Sequence, residues 1–394
     1  TVTVTLASGA TTWAYSINGS SWTTGSGTLF TLQPGSYSIN AVQVRNSDAA
    51  GNTSSSTNNT SSFTVLMTDR QVSMYSNETA FAALKQDGTV AAWGDSSSGG
   101  TVPAGLSNVK AIYSTGSAFA ALKQDGTVVT WGDAYDIGGV PAGLINVQAI
   151  YSNKWAFTAL KQDGTVVGLG GSNLAGPPPG LTGVMTIYSN AGAFAALKQD
   201  GTVVAWGDPY YGGTNSGSMG VPVGLSNVQA IYSNEYAFAA LKQDGTVAAW
   251  GDAGHGGTNS GVSGVPVGLS NVQAIYSSYG AFAVLKQDGT VVAWGNSNNG
   301  GSGVPAGLSN VQAIYSTGSA FAALKQDGSV AAWGSSSYGG SGVPTGLSNV
   351  QAIYSNEAAF AALKQDGSVA AWGDSRYGGS GVPVGLSNVR AIYS

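Results

Sequence analysis

Residues Ala237 to Asp252 read AFAALKQDGTVAAWGD, and seven further versions of this stretch occur along the chain. The alternation in AFAAL, and again in TVAAW, is the period-2 pattern of a half-buried strand. Gln-Asp-Gly between them favours a tight turn, because Gly accepts a positive φ and Asp tolerates turn geometry. Each copy therefore predicts a β-hairpin.

The element L-K-Q-D-G sets the period of the chain. Successive copies are 38, 38, 37, 44, 44, 39 and 39 residues apart, and a period of this size indicates a solenoid, a propeller or an array. Each repeat adds V-Q-A-I-Y-S before the hairpin, and a Gly/Ser loop with V-P-x-G-L-S-N after it. We expect three strands and a short fourth per repeat, which is one blade of an all-β propeller spanning residues 68–394.

The repeat resembles those of the regulator of chromosome condensation family. It is closer still to the propeller-type β-lactamase inhibitor proteins, which share the run of L-K-x-D/N-G, V-x-A-W-G, a Gly-containing loop and V-P. The resemblance covers residues 72–394 and implies seven blades. The eight hairpins of this chain favour eight blades, with seven left open.

Residues 1–67 contain no L-K-Q-D-G and predict a small antiparallel β-sandwich, with alternation in Thr1 to Leu6 and an Asn-Gly turn at Asn18. Thr11 to Ser54 resembles the bacterial immunoglobulin-like domains of large surface adhesins. The resemblance rests on Trp13, Tyr15, Trp22, Gly35, Tyr37, Val44 and Asp48 to Asn52. Such a sandwich usually needs about 100 residues, so this one is expected to lack a strand or two.

Composition narrows the function. Charged residues are only 8% of the chain, cysteine is absent and the net charge is −5, a profile that suits an exported β-rich protein and argues against nucleic acid as partner. No apolar run is long enough for a membrane helix, so we expect no membrane insertion. His255 is the sole histidine and no catalytic or metal-binding motif occurs, so we predict no enzyme activity, no metal and no cofactor.

The candidate binding residues are those in which the repeats differ. Directly before A-F-A-A-L lie turns of varied sequence, and three of them place an aromatic residue there: Trp155, Tyr236 and Tyr279. The resemblance to the inhibitor family implies aromatic contacts to a partner at this turn. Exposed aromatics on one edge favour partner binding, whereas drift in unconstrained turns is the competing interpretation.

Two loops are longer than their counterparts, residues 207–220 and 251–264, and they carry Tyr210, Tyr211 and His255. Their adjacency in the chain predicts one shared cleft or contact. Duplication of a neutral insertion explains them equally well.

Three functions follow as hypotheses. The favoured one is a non-enzymatic structural or adhesive protein, extracellular or on a bacterial cell surface. A ninth A-I-Y-S at Ala391 to Ser394 and the incomplete N-terminal sandwich suggest a fibre subunit joined to itself by strand exchange, although truncation explains both features too. The alternatives are an inhibitor-like module that binds another protein, and a lectin-like module that binds a glycan.

Overall fold

The computed structural model describes residues 73–170, 176–214, 219–259 and 262–393, and the backbone of short strands before residue 73. The chain forms two compact units, Thr1–Gln71 and Val72–Ser394, which are described separately here. Their boundary lies close to the one predicted after residue 67.

The strands described in the first unit are β1 (Val2–Thr3), β2 (Ala10–Ile17), β3 (Thr23–Thr24), β4 (Leu29–Phe30), β5 (Gly35–Tyr37), β6 (Val42–Asp48), β7 (Thr57–Asn58) and β8 (Phe63–Val65). They pair as β3-β2-β6-β7, β1-β4 and β5-β8, all antiparallel. The side-chain arrangement on which the immunoglobulin-like prediction for residues 1–67 depends lies outside the described residues.

The second unit consists of three-stranded antiparallel sheets, here called blades 1 to 8. Blades 1 to 4 are β9 (Ser73–Ser76), β10 (Ala80–Leu84), β11 (Val90–Gly94); β12 (Val109–Ser114), β13 (Ala118–Lys123), β14 (Val128–Gly132); β15 (Val147–Ser152), β16 (Phe157–Lys161), β17 (Val166–Leu169); and β18 (Val184–Ser189), β19 (Ala193–Lys198), β20 (Val203–Gly207).

Blades 5 to 8 are β21 (Val228–Ser233), β22 (Ala237–Lys242), β23 (Val247–Gly251); β26 (Val272–Ser277), β27 (Ala281–Lys286), β28 (Val291–Gly295); β29 (Val311–Ser316), β30 (Ala320–Lys325), β31 (Val330–Gly334); and β32 (Val350–Ser355), β33 (Ala359–Lys364), β34 (Val369–Gly373). The small hairpin β24 (Thr258–Asn259) and β25 (Val262–Ser263) lies between blades 5 and 6. Within the described ranges, one short helix, α1 (Ala134–Ile137), follows blade 2, and 3-10 turns occupy Pro209–Tyr211, Ala253–His255, Ser297–Asn299, Ser336–Tyr338 and Ser375–Tyr377.

The all-β class and the count of eight blades are confirmed, but the expected fourth strand is not. Within the described residues, V-P-x-G-L-S-N forms a turn, and its Asn adopts a positive φ, 55° at Asn227 and 56° at Asn271. Asn is one of the few residues that tolerates this left-handed conformation. The chain is thereby redirected into the first strand of the next blade instead of adding an edge strand to its own.

The L-K-Q-D-G hairpin does more than reverse the chain. Gly245 has a φ of 74°, and its carbonyl accepts a hydrogen bond of 3.0 Å from the Val272 N–H at the start of the next blade. A Cβ on Gly245 would meet the backbone of Asn271 at 3.3 Å. Glycine is therefore required both by the turn and by the close approach of two blades. The edge of each blade that carries this hairpin is called the lower edge below.

The core consists of a series of interfaces between successive blades. Phe238 and Trp250 of blade 5 stack across β22 and β23 with ring centroids 5.2 Å apart, and both pack against alanine and leucine side chains of β19. On the opposite face of β22, Ala237, Ala239 and Leu241 receive the equivalent rings of blade 6. A-F-A-A-L is thus buried on both faces, not half-buried as its alternation predicts, because each sheet lies between two others.

Candidate functional site

The turn between the first and second strands of each blade, here called the variable turn, lies at the upper edge, beside the loop that follows the third strand. Asn234 fixes this geometry in blade 5. Its side-chain oxygen accepts hydrogen bonds from the N–H groups of Tyr236 (2.9 Å) and Ala237 (2.8 Å), and its Nδ2 donates to the carbonyl of His255 (2.7 Å). Asn190 makes the equivalent bond to the Tyr211 carbonyl at 2.8 Å. The two kinds of variable element are therefore held side by side.

Five of the six predicted binding residues form one cluster across blades 4, 5 and 6, called the aromatic patch: Tyr210, Tyr211, Tyr236, His255 and Tyr279. Tyr236 is its centre. It stacks on Tyr211, with ring centroids 5.5 Å apart, and on His255, with centroids 4.1 Å apart. Tyr210 and Tyr279 stand edge-on to it at 6.2 and 5.7 Å.

Carboxylates hold the outer rings of the patch in place. A hydrogen bond to the Asp252 carboxylate is the main cause of a raised pKa at the Tyr210 hydroxyl. A hydrogen bond to Glu235 is the main cause at Tyr279, whose pKa is also raised by Tyr236. Asp252 Oδ1 lies 2.6 Å from His255 Nδ1. Both phenols and the imidazole thus lie beside negative charge.

Trp155, the sixth predicted residue, lies on blade 3. Lys154 Nζ is 5.0 Å from the centroid of its ring, within the range of a cation–π contact, and 3.3 Å from Glu78 Oε1. The structure therefore groups Trp155 with a cation supplied by its own chain.

Backbone hydrogen bonds join the variable turns of all eight blades into what we call the upper ladder. The N–H of Glu235 donates to the carbonyl of Tyr279 at 3.2 Å, and the N–H of Tyr279 donates to the carbonyl of Gly318 at 2.8 Å. The full series runs Glu78, Gly116, Lys154, Ala191, Glu235, Tyr279, Gly318, Glu357. A regular scaffold thus carries varied side chains at fixed spacing.

The Asp residues after W-G have a local structural role. Asp208 accepts a hydrogen bond from the Tyr210 N–H at 2.8 Å, and Asp133 accepts one from the Tyr135 N–H at 2.8 Å, which caps the short helical turns. Asp136 is 3% exposed and accepts a hydrogen bond of 2.8 Å from Thr115, and its pKa is raised mainly by burial. Within the described residues, no group of three or more His, Cys, Asp or Glu is placed to hold a metal ion. No described helix is long and apolar enough to cross a membrane.

The outer face of blade 1 was missed by sequence reasoning. Phe81 and Trp93 are 44% and 45% exposed, whereas Phe119 and Trp131, their counterparts in blade 2, are 0% and 4% exposed. The rings of blades 2 to 8 lie against the blade that precedes them, while blade 1 follows no other blade. This order of repeats is the one signal in the sequence that predicts the exposed face.

The face at the other end of the array belongs to blade 8, and it corresponds to the faces that receive a Phe–Trp pair inside the array. Ala359 and Ala361 line a cavity of about 200 Å³ there, together with Ile392 and Tyr393 from the segment after the last blade. Tyr393 is 92% exposed. Ala359 and Leu363 are nevertheless only 3% exposed each, so this face is already largely covered.

No family model and no curated protein matches the chain. Among solved structures, the ectodomain of the Physcomitrella patens receptor kinase CR4 is similar at 18% identity and a TM-score of 0.38, over 76% of this chain and 71% of that one. Yeast RCC1 (Prp20), in its complex with Kap60, is similar at 17% identity and a TM-score of 0.37, over 80% of this chain and 73% of that one. The computationally designed Ika8 protein is similar at 17% identity and a TM-score of 0.38, over 76% of this chain and 94% of that one. RCC1-type propellers are thus among the structural neighbours, and similarity at this level carries no argument about function.

Proposed function

We propose that the chain is a non-enzymatic structural protein that assembles with copies of itself through the faces of its end blades. The observation that carries the proposal is the exposure of Phe81 and Trp93. The same Phe–Trp pair is buried against the preceding blade in blade 2 and in blades 4 to 8. Exposed apolar surface of this kind favours association.

The face that fits this pair is already defined by the chain. Inside the array, the Phe–Trp pairs of blade 2 and of blades 5 to 8 pack on the Ala-x-Ala-x-Leu face of the blade before them. Blade 8 carries the same face on Ala359, Ala361 and Leu363. Blade 1 of one copy on blade 8 of another repeats an interface that occurs five times between the described blades. A head-to-tail contact of this type propagates into a filament when its rotation does not close a ring.

Packing between the faces of the end blades differs from the strand exchange predicted from the sequence. β9 already pairs with β10, Phe81 opposite Ser76 and Leu84 opposite Ser73. A donated A-I-Y-S strand would have to displace β9. Face packing leaves the strands of both end blades in place and displaces only the segment that carries Ile392 and Tyr393, which lies against the blade 8 face. We therefore place the contact on the faces and not on the strand edges.

Disulfide trapping tests the proposal directly, because the chain has no cysteine of its own. Glu78 and Glu357 lie in the first and last turns of the upper ladder, where neighbouring turns are joined by a direct hydrogen bond. In a Glu78→Cys/Glu357→Cys variant, head-to-tail packing brings the two thiols together between chains, within the range that a disulfide needs.

We expect mild oxidation to give a series of covalent oligomers on a non-reducing gel, and electron microscopy to show filaments. Each single variant is the control and forms at most a dimer. A disulfide within one chain would mean that blades 1 and 8 close a ring and would contradict the fibre. Absence of any disulfide would contradict the contact itself.

We further propose, from the sequence, that residues 1–67 form an immunoglobulin-like sandwich and that the protein is extracellular and adhesive. The low charge, the absent cysteine and the adhesin-like segment support this location. Antibody labelling of intact cells against permeabilised cells tests it: equal labelling supports surface exposure, and labelling only after permeabilisation contradicts it.

Protein binding, as expected from the likeness to inhibitor propellers, is the second candidate function. The aromatic patch favours it, since tyrosine anchors are typical of protein interfaces. Among the structural neighbours, Prp20p from Saccharomyces cerevisiae binds Gsp1p and histones. It is similar to this chain at 16% identity and a TM-score of 0.35, over 76% of this chain and 71% of that one. The patch, and not this likeness, supports a protein partner here.

A further inference from the structure

We propose that the aromatic patch binds a cationic side chain, the ammonium of lysine or the guanidinium of arginine, presented by an exposed basic segment of a partner protein. The inference concerns a different surface from the end faces and does not depend on self-association. Three observations carry it: exposed tyrosine rings, an excess of negative charge, and a cation–π site elsewhere on the same edge.

The first observation is the arrangement of the rings. Tyr210 and Tyr279 are 44% and 51% exposed, and their planes lie at 87° and 70° to that of Tyr236. The two exposed rings therefore flank a buttressed central ring. A cation is attracted to the faces of such rings by their quadrupole.

The second observation is charge. Asp208, Glu235 and Asp252 belong to the patch and its loops, whereas Lys242 is the only lysine or arginine between residues 199 and 285. Lys242 lies at the lower edge and pairs with Asp244 at 3.2 Å. Among the described residues of these turns and loops there are thus three carboxylates and no lysine or arginine, although His255 lies 2.6 Å from Asp252. This excess of negative charge would attract a basic segment.

The third observation is the variable turn of blade 3. There, Lys154 lies 5.0 Å from the ring centroid of Trp155 and 3.3 Å from the Glu78 carboxylate. In blade 5 the corresponding positions hold Glu235 and Tyr236. The chain itself therefore completes one aromatic–carboxylate site with a lysine, and in blade 5 a carboxylate replaces that lysine.

A glycan is the competing ligand. Sugar recognition needs hydrogen-bonding groups in addition to an aromatic face. In the patch, the Tyr210 and Tyr279 hydroxyls lie beside the carboxylates of Asp252 and Glu235, which raise the pKa of each phenol and compete for its proton. The ring faces and the negative charge remain available, and both favour a cation.

The experiment titrates the full chain with a hexa-arginine peptide and with hexa-citrulline, its neutral analogue of the same shape, at 0.15 M salt by calorimetry. We expect hexa-arginine to bind and hexa-citrulline to bind at least tenfold more weakly. Tyr210→Ala/Tyr279→Ala and Glu235→Gln should each weaken hexa-arginine binding about threefold to thirtyfold, the range that one or two cation–π contacts or a charge partner supply.

Two control variants match these changes. Tyr135→Ala removes a 61% exposed tyrosine that follows a capping Asp on blade 2, and Glu357→Gln neutralises an exposed variable-turn glutamate on blade 8. Both should leave binding unchanged. Equal losses in the control and patch variants would mean non-specific attraction and would overturn the proposal. Equal binding of the two peptides, absence of hexa-arginine binding, or patch-dependent binding of a neutral hexasaccharide would overturn it too.

Discussion

Phe81 lies face to face with Trp93 across β10 and β11, with ring centroids 5.5 Å apart, although the two side chains are 44% and 45% exposed. In blade 5, Phe238 and Trp250 form the same pair with a centroid distance of 5.2 Å and are fully buried. The stacking is therefore local to the hairpin, whereas burial comes from the preceding blade.

Removing the ring should accordingly have different costs in the two blades. Phe238→Ala is expected to lower the free energy of unfolding by about 3 to 5 kcal/mol, the usual cost of deleting a buried aromatic ring. Phe81→Ala should cost less than about half of that, since its ring already meets water. Urea unfolding of dilute protein measures both. An equal loss in the two variants would mean that another surface covers blade 1 in solution.

The comparison shows what the repeat sequence can and cannot predict. A-F-A-A-L is identical in blades 1 and 5, and it predicts a strand in both. The local sequence does not distinguish the exposed Phe81 from the buried Phe238, because burial depends on the place of the repeat in the array. Position effects of this kind are typical of repeat proteins, in which each unit is stabilised by its neighbours.

The candidate site shows the same limit. The sequence predicts Tyr236 and His255 as binding residues independently, Tyr236 from a variable turn and His255 from a long loop. The contact between them depends on the hydrogen bond from Asn234 to the His255 carbonyl, which spans 21 residues. Sequence pattern indicates which residues vary, but the pairing of turn and loop follows from the length of the intervening hairpin. The position of Trp155 in the repeat predicts a place among the tyrosines, whereas in the structure Lys154 lies 5.0 Å from the centroid of its ring.

The Asn234 bond makes a prediction of its own. Asn234→Asp removes the amide donor and leaves a carboxylate oxygen facing the His255 carbonyl, in a side chain that is only 6% exposed. Leaving a buried group without its partner costs about 1 to 3 kcal/mol. Hydrogen exchange should therefore accelerate in the loop that carries His255, and the stacking of His255 on Tyr236 should weaken.

Asn234→Ser is the matched control for that variant. Blade 6 has serine at this position, and Ser278 Oγ donates to the Asn299 carbonyl at 2.7 Å. A serine hydroxyl can thus replace the amide donor, so exchange in the loop should change little. Faster exchange in both variants would show that the donor is not what holds the loop.

Two glycines in the loop after blade 6 are needed for different reasons, Gly301 because the backbone is closely packed around it and Gly303 because of its backbone conformation. Gly301 has no positive φ, but a Cβ there would lie 2.4 Å from the backbone of Gly295. Gly303 has a φ of 82°, and a Cβ added to it would have no atom beyond its chain neighbours within 4 Å. Gly303→Ala should cost about 1 to 2 kcal/mol through strain alone. Gly301→Ala should cost more, since backbone must move, and thermal unfolding of the two variants ranks them. The reverse order would contradict the role of Gly301 in folding the loop back onto the sheet.

The lower-edge aspartates predict how stability depends on pH. Hydrogen bonds from the Thr246 hydroxyl (2.6 Å) and N–H (3.0 Å) to Asp244 lower the pKa of that carboxyl from 3.8 to about 2. The same shift to about 2 occurs at Asp125, Asp163, Asp200, Asp288 and Asp327.

A pKa that is lower in the folded state than in the unfolded state stabilises the fold above the unfolded value, and this contribution is lost as the pH falls through the folded value. The urea midpoint should therefore not change on account of these groups between pH 7 and about 5, and it should decrease between about pH 4 and pH 2. Asp136, whose pKa is raised by burial, acts in the opposite direction, but it is one group against six.

Asp→Asn at several of the six positions keeps the acceptor for the threonine or serine and removes the titration. The decrease between pH 4 and pH 2 should become shallower in proportion to the number of positions changed. The matched control is Asp208→Asn, which lies at the upper edge and accepts a single backbone hydrogen bond of 2.8 Å. An acid decrease of the same size in the wild type and in the multiple variant would mean that the hairpin turns do not determine the acid sensitivity of the fold.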